Sequence, residues 1–433
     1  MRALRVRCTI VPSMSHVHVI GAGLAGLSAA LSLTAAGRAV TVHESGPAAG
    51  GRCRSYFDRE LGIRIDNGNH LLLSGNKAAF AYIREIGAGN LIDGPRKPIF
   101  PFIDLKSGER WIVQLNRGPI PWWILFSRRR VPGTRLSDYL GFRHILAIKD
   151  DTVVANAARR GRLYWRLIEP LAVAVLNTRP QAGLARLLGA VLRGTLMRGG
   201  GACVPRYPAE GLSEALIDPA IAMLRERGAR VFFNSRISGV QMADGRVTAL
   251  STTAGPIALA PEDAVVLAVP PWVATDLLPF VVAPTEFESI LNLHYRLDAD
   301  LDGPLGDAGF IGVLAGKAEW IFAKPGHVSV TISAANSMVD DPAGDLATMV
   351  WPDVRRALDL PAAMDAAMPA FRVVKEKRAT FAATAEQEQR RPEARTRLAN
   401  LALAGDWTKT GLPATIEGAI RSGRTAARVI LAA

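Results

Sequence analysis

The chain has 433 residues, 52 Lys+Arg against 39 Asp+Glu, a formal net charge of +13 and 49% hydrophobic residues. That composition buries large cores and excludes a disordered or fibrous chain, and the length suits roughly two or three domains. The surplus charge is local: residues 110–206 hold 17 Lys+Arg and 4 Asp+Glu, and the remainder balances at 35 of each sign, which argues against a diffuse nucleic-acid-binding habit.

Residues 1–13 carry Arg2, Arg5 and Arg7 on a short, broken apolar stretch with Pro12 near its end. They are predicted to be a disordered upstream extension, not a signal peptide, with Met14 as an alternative start. No apolar run is long enough to span a bilayer. The nearest, 264–284, is broken by Pro270, Pro271, Asp276 and Pro279 and is predicted as a strand over 265–269 and a helix from Pro271. Cys8, Cys53 and Cys203 lie too far apart for a disulfide framework or a thiolate zinc site, so the protein is predicted to be cytosolic.

A strand is predicted over 16–20, then Gly21-Ala-Gly-Leu-Ala-Gly26, a helix over 27–36 stopped by Gly37, and a strand over 39–43 ending at Glu44. This is a βαβ unit with an acid where a dinucleotide's ribose needs one. Gly21 permits the tight turn, Gly23 lets a pyrophosphate approach, and Gly26 lets the helix pack on the sheet. Leu24 and Ala25 open the helix, whose N-terminus offers N–H groups and a positive dipole end to phosphate. Glu44, with Ser45 after it, would hold a ribose diol. In Gly50-Gly51-Arg52, Gly51 allows close backbone approach and Arg52 can pair with phosphate. Asp66-Asn-Gly-Asn-His70 follows, then Asn76 as cap of a helix ending at Gly87.

A hairpin is predicted over 102–114 around Lys106-Ser-Gly108. Gly118-Pro-Ile-Pro-Trp-Trp-Ile-Leu-Phe126 and Ser127-Arg-Arg-Arg130 come next, followed by Arg-rich helices up to Gly199-Gly-Gly201. Asp218-Pro219 opens a helix to Gly228, and strands are predicted over 230–233, 237–242 and 246–250, the last two joined by Asp244-Gly245. Further strands over 290–297, 310–314, 320–323 and 328–333 form an antiparallel sheet. A strand over 398–403 and a helix over 413–431 close the chain.

These motifs resemble the flavin-dependent amine oxidase and phytoene desaturase superfamily over nearly the whole length. The likeness rests on Gly21 to Gly26 with Glu44, on Gly50-Gly51-Arg52 and on Val265-Val-Leu-Ala-Val-Pro-Pro271. It rests most on Leu403-Ala-Gly-Asp-Trp-Thr-Lys409 with Ala414-Thr-Ile-Glu-Gly-Ala-Ile-Arg-Ser-Gly423. Asp66-Asn-Gly-Asn-His-Leu-Leu-Leu-Ser-Gly-Asn76 and Val204-Pro-Arg-Tyr-Pro-Ala-Glu-Gly-Leu212 look like its squalene-associated branch, the hydroxysqualene dehydroxylases. The resemblance implies FAD. It sets Gly405 and Asp406 by the pyrophosphate and ribitol, and Thr415 and Ile416 at a helix start facing the flavin pyrimidine, where a helix N-terminus stabilises negative charge. It sets Gly68, Asn69 and His70 near the flavin, and the backbone of Ile237 at the adenine.

The implied fold is mixed α/β: a Rossmann-like FAD-binding domain (14–80, 202–285 and 385–433) with an interleaved substrate domain. The latter has a helical, membrane-facing cap (81–201) and an antiparallel sheet (286–384). The run Leu412-Pro-Ala-Thr-Ile416 has no aromatic residue for an amine cage, so an apolar C30 isoprenoid suits better than an amine. Trp122, Trp123 and Phe126 with Arg128, Arg129 and Arg130 read either as a core helix with a solvated Arg face or as a patch on an anionic membrane. The latter gives a cytoplasmic enzyme held peripherally on the inner face of the cytoplasmic membrane, with no nucleic-acid partner. The expected reaction is reductive removal of a hydroxyl to give squalene for hopanoid synthesis, with an unidentified electron donor and His70 as first candidate proton source. A carotenoid-type desaturase and a non-catalytic prenyl-binding escort protein are the rival readings.

Overall fold

The computed structural model describes residues 15–297, 305–324, 326–361 and 368–433; the predicted extension at 1–13 lies outside them. The first βαβ unit forms as strand His16–Ile20, helix Leu24–Ala35 and strand Ala39–His43. Its two strands each bury four of their five residues, His18, Thr41 and His43 among them, as strands covered on both faces do. They join Arg230–Phe232, Ala264–Leu267 and Leu401–Leu403 in one parallel sheet, ordered 230–232, 39–43, 16–20, 264–267, 401–403. Three distant stretches of sequence therefore build one domain.

Helix Leu24–Ala35 and the closing helix Ile416–Leu431 pack on one face, and Trp407, Ala274 and Leu278 cover Ile20, Val265 and Leu267 on the other. The two helices meet backbone to backbone: a Cβ on Gly423 would lie 2.1 Å from the Ala25 carbonyl oxygen. The closing helix begins at Ile416 rather than at Pro413, with Thr415 Oγ1 accepting the Gly418 N–H. Asn76 precedes helix Lys77–Glu85 but does not cap it; its Oδ1 accepts the Leu73 N–H instead. The cap comes from Glu417, which accepts the N–H groups of Ala78 and Ala79 at 3.1 and 2.9 Å, a carboxylate at a helix N-terminus.

A three-stranded antiparallel sheet, Ile237–Ala243, Arg246–Thr252 and Gly255–Ala258, turns at Asp244 and Gly245, both with positive φ as its tight hairpin requires. The substrate sheet has seven strands, ordered 371–381, 287–296, 327–332, 320–324, 310–314, 99–104, 110–114. Two expectations change here. The hairpin Ile99–Asp104 and Arg110–Gln114 belongs to this sheet, so the helical part of the cap starts near Trp122 rather than at 81. The sheet is not wholly antiparallel, because 99–104 pairs in parallel with 310–314. One face packs on helix Ala343–Ala357 and the other on the cap helices Gly141–Ala147, Glu169–Leu176 and Ala185–Gly194.

Candidate functional site

The glycine turn sits where the central strand meets the first helix. Gly21 has φ 104°, and its N–H donates to the His43 carbonyl at 2.7 Å. A Cβ on Gly26 would lie 1.9 Å from the Gly21 carbonyl oxygen and 3.2 Å from Ala268 Cβ, so only glycine lets helix and turn close. A Cβ on Gly23 would meet nothing within 4 Å: the space beside it is open. Gly50 donates to the Ala22 carbonyl at 2.9 Å, which lays Gly51 and Arg52 against the turn. Leu24 and Ala25 are buried in the first helical turn. Glu44 Oε2 accepts the Ala22 N–H at 2.9 Å, and Oε1 accepts the Gly46 N–H at 2.8 Å with the Ser45 hydroxyl at 3.3 Å. The Glu44 carbonyl accepts the Ser235 N–H, which brings the start of strand Ile237–Ala243 beside the acid. The Ile237 side chain itself is buried in the apolar core.

The other half of the cleft comes from the C-terminal motif. Gly405, φ 150°, donates to Ser422 Oγ on the closing helix. Asp406 receives both oxygens' bonds from Arg52 Nη2, at 2.7 and 2.8 Å. Arg52 lies deep in the protein, yet 44% of its side chain stays accessible. Two groups that the sequence reading missed hold this loop. Arg391 is fully buried, pairs with Glu388 at 2.6 Å, donates to the carbonyls of Asp406 and Thr408, and lies 4.7 Å over the Phe381 ring. Trp407 donates from Nε1 to the Val269 carbonyl at 2.9 Å. Arg391 had no periodicity or spacing to mark it; Trp407 stood in a quoted motif.

Gly68 lies against Asn292 of the substrate sheet, within 3.0 Å of its side chain for an added Cβ. Asn69 Nδ2 donates to Ser329 Oγ and Thr331 Oγ1 at 2.8 and 3.0 Å, and Thr331 donates on to Asn292 Oδ1. These bonds tie the 67–70 turn to the sheet and make a polar corner beside Arg52. Burial pushes His70 down to about 4; Asp66 opposes this, and the positive charges of Arg52 and Lys324 add to it. His70 is therefore held neutral near pH 7, which disfavours an imidazolium acid at that position.

The basic segment divides its two tryptophans. Trp122 is 57% exposed, whereas Trp123 is buried edge-on against Tyr139 at 5.3 Å. Phe126 is exposed with Arg129 stacked over it at 5.7 Å, Arg128 is exposed, and Arg130 is anchored to the Ile124 carbonyl at 3.0 Å. Trp123 thus belongs to the core and not to a surface patch. Part of the surplus charge is internally matched as well: Arg166 pairs with Asp104 and Glu109, and Arg186 with Asp151 and Glu388.

An open glycine turn, an acid at the end of the second strand, an arginine–aspartate pair and a capped helix start, gathered around one parallel sheet, fit a flavin dinucleotide and an FAD-dependent oxidoreductase. The family described as flavin containing amine oxidoreductase matches residues 24–431. The chain is 46% identical to the hydroxysqualene dehydroxylase of Rhodopseudomonas palustris over 419 residues, 96% of this chain and 98% of that protein. It is 43% identical to that of Zymomonas mobilis over 419 residues, 96% of this chain and 99% of the relative. An oxidoreductase from Methanosarcina mazei shares the fold, with a TM-score of 0.72 at 15% identity over 94% of this chain and 98% of that one. The chain belongs to the flavin-containing amine oxidoreductase family and, within it, to the hydroxysqualene dehydroxylases. Its cofactor is FAD.

Proposed function

We propose that this enzyme removes the hydroxyl of hydroxysqualene reductively, giving squalene, and that it works on the inner face of the cytoplasmic membrane. The observation that carries the reaction is near-full-length likeness to hydroxysqualene dehydroxylases joined to a cleft built for a flavin dinucleotide. Bound FAD, once reduced by a donor, supplies the hydride. The glycine turn and Glu44 anchor the dinucleotide, and the Arg52–Asp406 pair, clamped by Arg391, fixes the loop at its centre. The cap and the sheet exclude water, which keeps an allylic cation from being trapped as alcohol. Incubating hydroxysqualene with the chemically reduced holoenzyme tests the reaction: squalene is expected, and a polyene product would favour a desaturase.

The membrane reading rests on a surface formed by two short turns. Ile120, Trp122, Leu125, Phe126 and Leu140 each leave 52–59% of their surface open, with Leu136 beside them at 44%. Arg128, Arg129, Arg135 and Arg143 surround them, and each cation near an anionic bilayer adds about 1 kcal/mol. Among the described residues no helix is long and apolar enough to cross a membrane, so attachment is from one side. The substrate supplies the motive, since a C30 hydrocarbon alcohol resides in the bilayer. Flotation with phosphatidylglycerol vesicles tests it. Binding that is lost in Trp122→Ala with Phe126→Ala is expected, and no binding by the wild type removes the membrane reading.

A further inference from the structure

Dehydroxylation needs a proton for the departing oxygen, and neutral His70 has no spare proton to supply as an acid. We propose that Glu319 is the acid that protonates the leaving hydroxyl; this rests on the reductive dehydroxylation proposed above.

Glu319 lies deep in the protein at the start of strand Trp320–Lys324 and stays partly open. Its Oε2 accepts the Ser333 N–H at 2.7 Å, and among the described residues no cation stands within ion-pair distance of it. The next N–H, of Ala334, donates to Asn177 Oδ1 at 2.7 Å, where helix Glu169–Leu176 ends. Asn177 Nδ2 reaches Thr380 Oγ1 at 2.9 Å, and the adjoining Ala379 carbonyl accepts from Arg52, the partner of Asp406. Glu319 is thus linked to Arg52 through adjoining residues of three segments, 333–334, 177 and 379–380, that lie between the sheet and the cap. Between the helix and the sheet, Leu171, Val175, Leu314 and Trp320 are partly open rather than sealed, walls suited to an apolar chain.

Burial pushes the Glu319 carboxyl up to about 7; the hydrogen bonds from Ser333 and the charge of Arg179 oppose this only in part. Arg179 also faces Glu169 and Glu288, both pushed up by burial, and Glu286 raises Glu288 further. Arg160 adds a second positive charge at Glu169, so Arg179 is divided among three carboxylates and Glu319 holds its proton near neutral pH. The step balances. The Glu319 proton passes to the substrate oxygen, the C–O bond breaks with its electron pair leaving in water, and hydride from the reduced flavin forms the new C–H bond. Solvent then reprotonates the Glu319 carboxylate.

The test uses the full-length holoenzyme, chemically reduced, in single turnovers with hydroxysqualene across pH 5 to 9 (a span of about two units either side of neutral). The wild-type rate should fall as pH rises through about 7. Glu319→Gln should lose about 100-fold or more with unchanged flavin absorbance and melting, and Glu319→Asp should recover part of the rate. An infrared titration should find a protonated carboxyl in the wild type, with a midpoint near 7, that is missing in Glu319→Gln. A Glu319→Gln rate equal to wild type, or no carboxyl titrating there, overturns the assignment while the wild type still makes squalene. A wild type that makes no squalene overturns the dehydroxylase reading and the donor role together, which separates the two failures.

Discussion

Two alanines placed in one turn separate the fold from the ligand. Gly23 has φ −74° and an empty neighbourhood, so Gly23→Ala adds a methyl without backbone strain or clash in the apoprotein. The methyl occupies the open space where we propose that the pyrophosphate sits. A contact of that kind costs about 1–3 kcal/mol, or roughly a 5- to 150-fold weaker FAD affinity. Gly26→Ala is the reverse case, because its Cβ would sit 1.9 Å from a carbonyl oxygen and the helix or the turn must shift by about an ångström or more. Overpacking of this sort destabilises by about 1–3 kcal/mol even without cofactor. For a chain of this length that lowers the apoprotein melting point by about 1–3 °C. Differential scanning fluorimetry of both apoproteins and flavin-fluorescence titration of both variants give the comparison. A Gly23→Ala variant that binds FAD as the wild type does, or a Gly26→Ala apoprotein as stable as the wild type, refutes the assignment of the turn.

Trp123→Ala should cost about 3–5 kcal/mol in urea unfolding, and Trp122→Ala less than about 0.5 kcal/mol, because one indole is core and the other solvent-exposed. Arg391→Met should destabilise by about 3 kcal/mol, since it leaves buried Glu388 with only its 3.3 Å contact to Arg186, and should loosen FAD by releasing the Asp406 carbonyl; calorimetry with FAD titration reads both. His18 and His43 share a 3.1 Å hydrogen bond and are buried, and burial lowers each to about 4. Their folded values lie below the unfolded value near 6.5, so the stability they add is complete above that pH and is lost as pH falls toward 4. The urea midpoint should therefore decline between pH 6.5 and 5, before most carboxylates titrate, and a flat profile there would show that these rings are not held neutral.

The first βαβ unit and its glycine turn were legible because their logic is local. Strand, glycines, helix and Glu44 fall within about thirty residues, and each has one physical task. Gly405, Asp406 and Thr415 were singled out only through resemblance, since nothing in their own spacing says, for instance, that Asp406 meets Arg52 more than 300 positions earlier. Glu417 as the cap of a helix beginning at Lys77, and Arg391 under Asp406, are long-range contacts with no periodic signal. The hairpin at 99–114 was legible as a hairpin, but its parallel pairing with 310–314 was not, because a register across some two hundred residues leaves no mark in either strand. Trp122 and Trp123 were indistinguishable in sequence: they sit on a short 3-10 turn, too brief for a hydrophobic period to tell the inward face from the outward one.

The central claim is that the flavin's reducing equivalents replace a hydroxyl on an apolar substrate. The most direct test is an anaerobic single turnover of the photoreduced holoenzyme with hydroxysqualene in D2O, following flavin absorbance and product mass together. The account predicts one squalene per flavin reoxidised, with a single deuterium on the carbon that bore the hydroxyl. Flavin that stays reduced, or squalene without that deuterium, would contradict it.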